Sequence, residues 1–173
     1  LAAAALAAAA APSFLRMRGD DVIVAGPGVS AQRLLSEWLP AIAGTPVDTP
    51  VFVLDGASPG GTVVVLGGTH GDEPAGYLAA VVLVERASAS VGRLIVIPRA
   101  NASGFTHNIG QEAHPQGFVV ETPGGPRRFS YGARASNPVH QWPDPQVYFH
   151  AGPGQALSGT ATRNLNRAYP GRA

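Results

Sequence analysis

One short stretch of the sequence groups side chains able to hold a metal ion: Gly67-Gly68-Thr69-His70-Gly71-Asp72-Glu73-Pro74-Ala75-Gly76. An imidazole and a carboxylate three residues apart, here His70 and Glu73, can share one Zn2+ when both project from a tight turn. Two histidines and one glutamate form a zinc set that leaves a fourth position open for water, which is the chemistry of hydrolysis. The glycines allow the chain to turn sharply and keep bulk away from whatever lies above. Glu73 precedes a proline, which disfavours helical geometry at Glu73 and suits the last residue before a helix. A plainer role is open to the same residues. An acidic residue at a helix N-terminus is stabilising through capping and the helix dipole, and a histidine in a glycine-rich turn can simply cap or face water. H-x-x-E alone is a weak pattern, so its weight depends on its setting.

That setting reads as an α/β domain with a mostly parallel, mixed sheet flanked by helices. Thr62 to Leu66 is a continuous apolar and β-branched run, as expected for a strand buried on both faces. Pro74 to Ala87 reads as a helix and Leu94 to Ile97 as another buried strand, giving a βαβ unit that is parallel and right-handed. The turn carrying His70 and Glu73 lies where the first of these strands ends, and ligands of parallel sheets bind outside the carboxyl ends of the strands. Upstream, Val22 to Ala25 reads as a strand ended by Gly26-Pro27-Gly28, and Val51 to Leu54 as another, followed by a turn over Gly56 to Gly61. Ser30 is placed to cap a helix in which Leu34, Leu35, Trp38, Leu39 and Ile42 recur at helical spacing and which Pro40 ends or kinks. After Pro98, residues 99–162 show no sustained period. Their scattered aromatics, among them Phe105, Phe118, Phe129 and Tyr131, predict an ordered, loop-rich insertion over the sheet.

Composition narrows the chemistry. The 173 residues are 45% hydrophobic and 13% charged with net charge +1, which fits one globular domain and gives no field to draw nucleic acid. All 12 basic residues are arginine, so no lysine can form a Schiff base or act as a base. Without cysteine there are no disulfides, thiol nucleophiles or thiolate metal sites. A transition metal here must use His, Asp and Glu.

Two motifs in order carry a resemblance. Gly68-Thr69-His70-Gly71-Asp72-Glu73 resembles the first zinc-binding motif of the succinylglutamate desuccinylase and aspartoacylase family, a branch of the zinc carboxypeptidase-like fold. Asn164-Leu165-Asn166-Arg167-Ala168-Tyr169-Pro170-Gly171 is similar to that family's Asp-Leu-Asn-Arg-x-Phe-Pro-Gly segment. Between them, Ile97-Pro98-Arg99-Ala100-Asn101 follows a strand as a loop of that family does. The resemblance covers residues 50–173. It implies Zn2+ on His70 and Glu73, and a substrate carboxylate held by Asn166 and Arg167, where a guanidinium fork and an amide suit a carboxylate. Taken alone, Arg167 reads rather as one half of a surface ion pair. The resemblance also implies a third zinc ligand from a later histidine and a general-base glutamate beyond Ala173, so that residues 19–173 form the N-terminal part of the hydrolase domain, incomplete at the C-terminus and inactive alone. His107, His114, His140 and His150 precede Asn166, out of the family's order, and read as loop histidines. Asn164 stands where the family often has Asp. Arg99, Arg127, Arg128, Arg134 and Arg163 are all candidates for the arginine that polarises the scissile carbonyl.

The expected function is a zinc-dependent hydrolase cleaving the amide bond of an N-acyl amino acid or of a short peptide with a free carboxylate. A non-catalytic module that binds carboxylated ligands on the same fold is the alternative, and a Ser-His-Asp hydrolase ranks third. Leu1 to Ala11 contains only alanine and leucine, and the segment 1–18 reads as a surface helix or as the remnant of a signal peptide or membrane anchor. It is too short to span a bilayer, which takes about 20 residues. An A-x-A pattern at Ala9–Ala11 and the following Arg16 and Arg18 favour export or anchoring, with membrane attachment through the N-terminus, over a cytoplasmic location.

Overall fold

The short strand β1 (Ala31–Leu34) pairs antiparallel with β2 (Pro50–Asp55), which pairs antiparallel with β4 (Val91–Ile97), and β4 pairs parallel with β3 (Ser58–Leu66). The sheet order is β1-β2-β4-β3. Helix α2 (Pro74–Arg86) connects β3 to β4, so the expected βαβ unit with parallel strands is present. The sheet is mixed as expected, but two of its three pairings are antiparallel, so it is not mostly parallel. The computed structural model describes residues 1–16, 21–107, 117–141, 147–149 and 156–169.

Helix α2 forms where the sequence predicts it. Pro74 supplies a preset φ at the first turn. Tyr77, Ala80, Val81 and Val84 recur at helical spacing and are all buried. Ala80 and Val84 pack on Phe52, Leu54 and Val96 of β2 and β4, and Tyr77 and Val81 pack on Phe105 and Phe129. Each such large apolar side chain contributes roughly 1.5–3 kcal/mol by leaving water. Phe129 comes from an antiparallel hairpin, β5 (Gly117–Thr122) and β6 (Gly125–Ser130), inside the loop-rich region. A second small hairpin joins β7 (Val147–Phe149) and β8 (Ala156–Ser158). Aromatics tie the described part of this region to α2, with Tyr77 meeting Phe105 and Phe129 edge to face at ring separations of 5.3 and 6.0 Å.

Three expectations are corrected. The helix predicted from Ser30 to Ile42 is strand β1 followed by short 3-10 turns at Leu35–Glu37 and Pro40–Ile42. Ser30 Oγ bonds the Val53 carbonyl (2.9 Å) and Leu35 N–H bonds the Thr49 carbonyl (3.0 Å), so pairing with β2 overrides helical spacing. Val22 to Ala25 forms no strand, and this segment bonds instead to the end of α2: Val24 N–H to Glu85 and Gly26 N–H to the Val84 carbonyl. Strand β3 begins at Ser58, inside the predicted turn, and it is not buried on both faces. Val63 is 59% exposed, Val64 54% and Leu66 41%. It lies at the sheet edge, and α2 covers β2 and β4 instead. The alanine-rich start forms a helix, α1 (Ala2–Arg16), with no buried residue. Among the described residues no helix is long and apolar enough to cross a membrane.

Arg127 clamps the hairpin to α2 through a forked contact with Glu85 (2.7 and 2.8 Å) and a bond to the Val22 carbonyl (2.9 Å). The Arg127 guanidinium holds the Glu85 carboxyl below the usual glutamate value of 4.5. Stability from this pair is therefore full above that value and is lost as pH falls through the lowered native value. Glu85→Gln should lower the unfolding free energy at pH 7 by roughly 1–2 kcal/mol. Urea melts at several pH values should show the variant and the parent converging on the acid side.

Candidate metal site

Strand β3 ends at Leu66 and β4 at Ile97, and the loops leaving them are bonded together. Gly67 N–H reaches the Ile97 carbonyl (2.9 Å), and Ala100 and Asn101 N–H reach the carbonyls of Gly67 and Gly68 (2.8 and 3.1 Å). Gly68 has φ +57°, and an added Cβ would stand 2.8 Å from the Pro98 carbonyl oxygen, so only glycine fits this turn. Gly71 N–H bonds the Ala133 carbonyl (3.0 Å) and Gly132 N–H bonds the Gly71 carbonyl (2.8 Å). The turn is therefore pinned on one side to the end of β4 and on the other to the segment after β6.

His70 is 7% exposed and touches Asn164 through Nε2 (2.9 Å). Asn164 Oδ1 also accepts the Asn166 backbone N–H (3.0 Å), which fixes that atom as the oxygen. Nε2 must then carry the proton it donates, and a neutral imidazole keeps its lone pair on Nδ1. That Nδ1 lies 3.1 Å from Glu73 Oε2, itself an acceptor. Two lone pairs facing each other at this distance call for a cation between them. Tetrahedral zinc with bonds near 2.0–2.1 Å would hold such a nitrogen and oxygen roughly 3.3 Å apart. Asp72 adds a third donor: the ligand atoms of His70, Asp72 and Glu73 all lie within 4.8 Å of one another. Asp72 Oδ1 is buried without a hydrogen-bond partner. The donor set thus fits a divalent cation. The Glu73 carboxyl is held below the usual range, first by its contact with His70 and then by Arg134.

Arg134 reaches this turn through the pinned segment Gly132–Ala133. Nη1 lies 2.9 Å from His70 Nδ1, Nη2 donates to Glu73, and Nε is 3.6 Å from Asp72. Of the arginines the sequence left open, it is the one at the carboxylates. Arg99 is buried against Asp21 (2.5 Å) and stacks on Tyr77 and Phe105. Arg127 is on Glu85, Arg163 donates to the Ser136 carbonyl (2.8 Å), and Arg128 lies on β6 opposite Val119. Asn166 and Arg167 lie exposed in a 3-10 turn, Leu165–Arg167, capped by the same Asn164 that touches His70. Arg167 and Asn164 line a cavity of about 170 Å³ with Ser136, Gln141 and Arg163. His140 Nδ1 lies 2.8 Å from Ser103 Oγ, and burial lowers the pKa of His107. Among the described residues the only cluster of three or more His, Asp and Glu donors is the one at His70. His114 and His150 lie outside the described residues. The sequence reading passed over Asp72, although an acidic residue within the motif was a visible signal, and no local signal could have singled out Arg134. The serine hydrolase ranks third on the expectation that no G-x-S-x-G elbow is present, yet that string does occur at Gly56–Gly60. Ser58 of that string opens an exposed edge strand, not a strand-to-helix elbow.

No protein-family model matches the chain, and no curated protein matches it. Several solved structures are similar over part of it, among them the following two. A succinylglutamate desuccinylase/aspartoacylase from Rhodobacter sphaeroides is 37% identical over 33% of this chain and 18% of that chain, with a TM-score of 0.30. An aspartoacylase family protein from Mesorhizobium loti is 27% identical over 39% of this chain and 23% of that one, with a TM-score of 0.31. The match spans about a fifth of the length of those structures. The functional reading therefore rests on the site itself.

The Asp21 carboxylate also accepts from Tyr77 and from the backbone and hydroxyl of Ser130, so Arg99 neutralises a charge that knits β6 to α2. Arg99→Met, which leaves that carboxylate buried, should lower the unfolding free energy by roughly 3–5 kcal/mol in urea melts. A role in catalysis alone would leave stability unchanged.

Proposed function

We propose that this chain carries the metal-binding part of a zinc-dependent hydrolase that cleaves the amide bond of an N-acyl amino acid or a carboxylate-bearing peptide. The observation that carries the reading is the Nδ1 lone pair of His70 facing Glu73 Oε2 at 3.1 Å, with a carboxylate oxygen of Asp72 within 4.8 Å of the other ligand atoms. His70, Glu73 and Asp72 would hold the ion. When bound, zinc polarises a carbonyl and acidifies water, the two needs of amide hydrolysis. The protein's own share is orientation. Asn164 keeps the His70 proton on Nε2 and so keeps Nδ1 available for a ligand. Asn166 and Arg167, beside Asn164 and open to solvent, would grip a substrate carboxylate, the guanidinium as a fork and the amide as a further donor. Arg134, already among the carboxylates, is the candidate to meet the scissile carbonyl. The names of the similar structures, desuccinylase and aspartoacylase, fit amide cleavage of an acylated amino acid.

Zinc content and affinity test this reading. The parent should retain about one zinc through gel filtration, and His70→Ala with Glu73→Ala should retain none. Equal, background zinc in both would remove the site. Zinc binding without hydrolysis of any N-acyl amino acid would favour the non-catalytic carboxylate-binding module.

The Asn164 contact has its own test. Asn164→Ala should weaken zinc binding by about 10–100-fold, the usual effect of removing a partner of a ligating histidine. Competition with a chromophoric chelator reads this directly, and unchanged affinity would mean that Asn164 does not orient His70.

A further inference from the structure

We infer that Arg134 is the cation of this site whenever the metal is not, so that metal and guanidinium exclude each other and Arg134 sets the metal affinity. The inference rests on the metal reading above. Arg134 meets the same three residues that the fit assigns to the ion: Nη1 at 2.9 Å from His70 Nδ1, Nη2 on the Glu73 carboxylate and Nε 3.6 Å from Asp72. An imidazole nitrogen has one lone pair in the ring plane, so Nδ1 cannot accept from Nη1 and ligate a metal at once. The charges agree. Asp72, Glu73 and Arg134 sum to one negative charge, with the three guanidinium nitrogens spread over His70, Glu73 and Asp72. Adding a dication beside that guanidinium would press two cations together over the same two carboxylates.

The exchange needs little movement. Backbone bonds at Gly132 and Ala133 pin the segment to Gly71 and Gly104, while the Arg134 side chain remains 50% exposed. The side chain can therefore swing into solvent with its backbone fixed. Two consequences follow. Without metal, Arg134 relieves the repulsion between Asp72 and Glu73 and the clash of lone pairs at Nδ1. With metal, its displacement is a competing equilibrium, and the apparent affinity falls by the factor that the closed arginine state is favoured. By reciprocity, metal binding frees the guanidinium by the same factor.

Zinc affinity of the full chain, measured by chelator competition at fixed pH and salt, tests this for the parent, Arg134→Ala and Arg134→Lys. Arg134→Ala should bind zinc at least about tenfold more tightly. Arg134→Lys keeps the charge but lacks the fork, so its affinity should lie between the other two. Thermal melts add a second reading: without zinc Arg134→Ala melts below the parent, and with saturating zinc the gap closes. Equal affinities for parent and Arg134→Ala overturn the exchange and leave the metal site standing. A lysine variant indistinguishable from the parent overturns it too, because long-range charge then explains the gain. Zinc uptake by none of the three removes the metal reading and the exchange with it.

Discussion

The site depends on one electrostatic constraint: an imidazole lone pair and two carboxylates are brought to a single turn and need a positive charge among them. His70 Nδ1 and Glu73 Oε2 stand 3.1 Å apart, a carboxylate oxygen of Asp72 lies within 4.8 Å of the other ligand atoms, and Asp72 Oδ1 is buried without a hydrogen-bond partner. Acceptors at this spacing repel unless a cation neutralises them, and the repulsion grows as water is excluded. His70 is the buried member of the trio, whereas the Glu73 side chain is 57% exposed. Under the metal reading proposed above, exposure would give an ion a way in while the histidine would fix where it stops.

The scaffold can hold such acceptors together because neither the turn nor the imidazole is free to move. Parallel pairing of β3 with β4 sets both strand ends side by side, and backbone bonds between the loops that leave them close the turn from below. The mutual bonds of Gly71 with Gly132 and Ala133 close it from the side. Glycine at position 68 is demanded by a positive φ and by the Pro98 carbonyl, which leaves no room for a side chain. Asn164 comes from the far end of the chain and caps a 3-10 turn with the same oxygen that takes the His70 proton. One oxygen thus links the imidazole tautomer to the placement of Asn166 and Arg167.

What the sequence disclosed follows from the range of the interactions involved. His70, Glu73, the helix from Pro74 and the β3-α2-β4 unit are local: glycine, proline and helical spacing specify them within about 35 residues. The segment 30–42 misled because its apolar spacing fits a helix, yet its backbone partners in β2 arrive only with tertiary structure. Strand β3 has the continuous apolar run of a strand buried on both faces, but burial depends on neighbours that composition does not name. Arg134 was one of five equivalent arginines on paper. Only the bonds of Gly132 and Ala133 to the turn distinguish it from Arg127 and Arg99, which serve stability at Glu85 and Asp21.

The same logic explains why three arginines of one chain end in different roles. Arg99 lies over two adjoining aromatic rings and pairs with a buried carboxylate, where leaving would strand a charge in the core. Arg127 is forked on Glu85 and also bonds the Val22 carbonyl, so it acts as a strap across elements. Arg134 has carboxylate partners too, but it is half exposed and one of its acceptors is an imidazole nitrogen suited to a metal. Water can take over its hydration as it leaves, because half of its side chain already faces solvent. An arginine placed this way is strong enough to hold acceptors together and weak enough to be replaced, a combination that burial denies to Arg99.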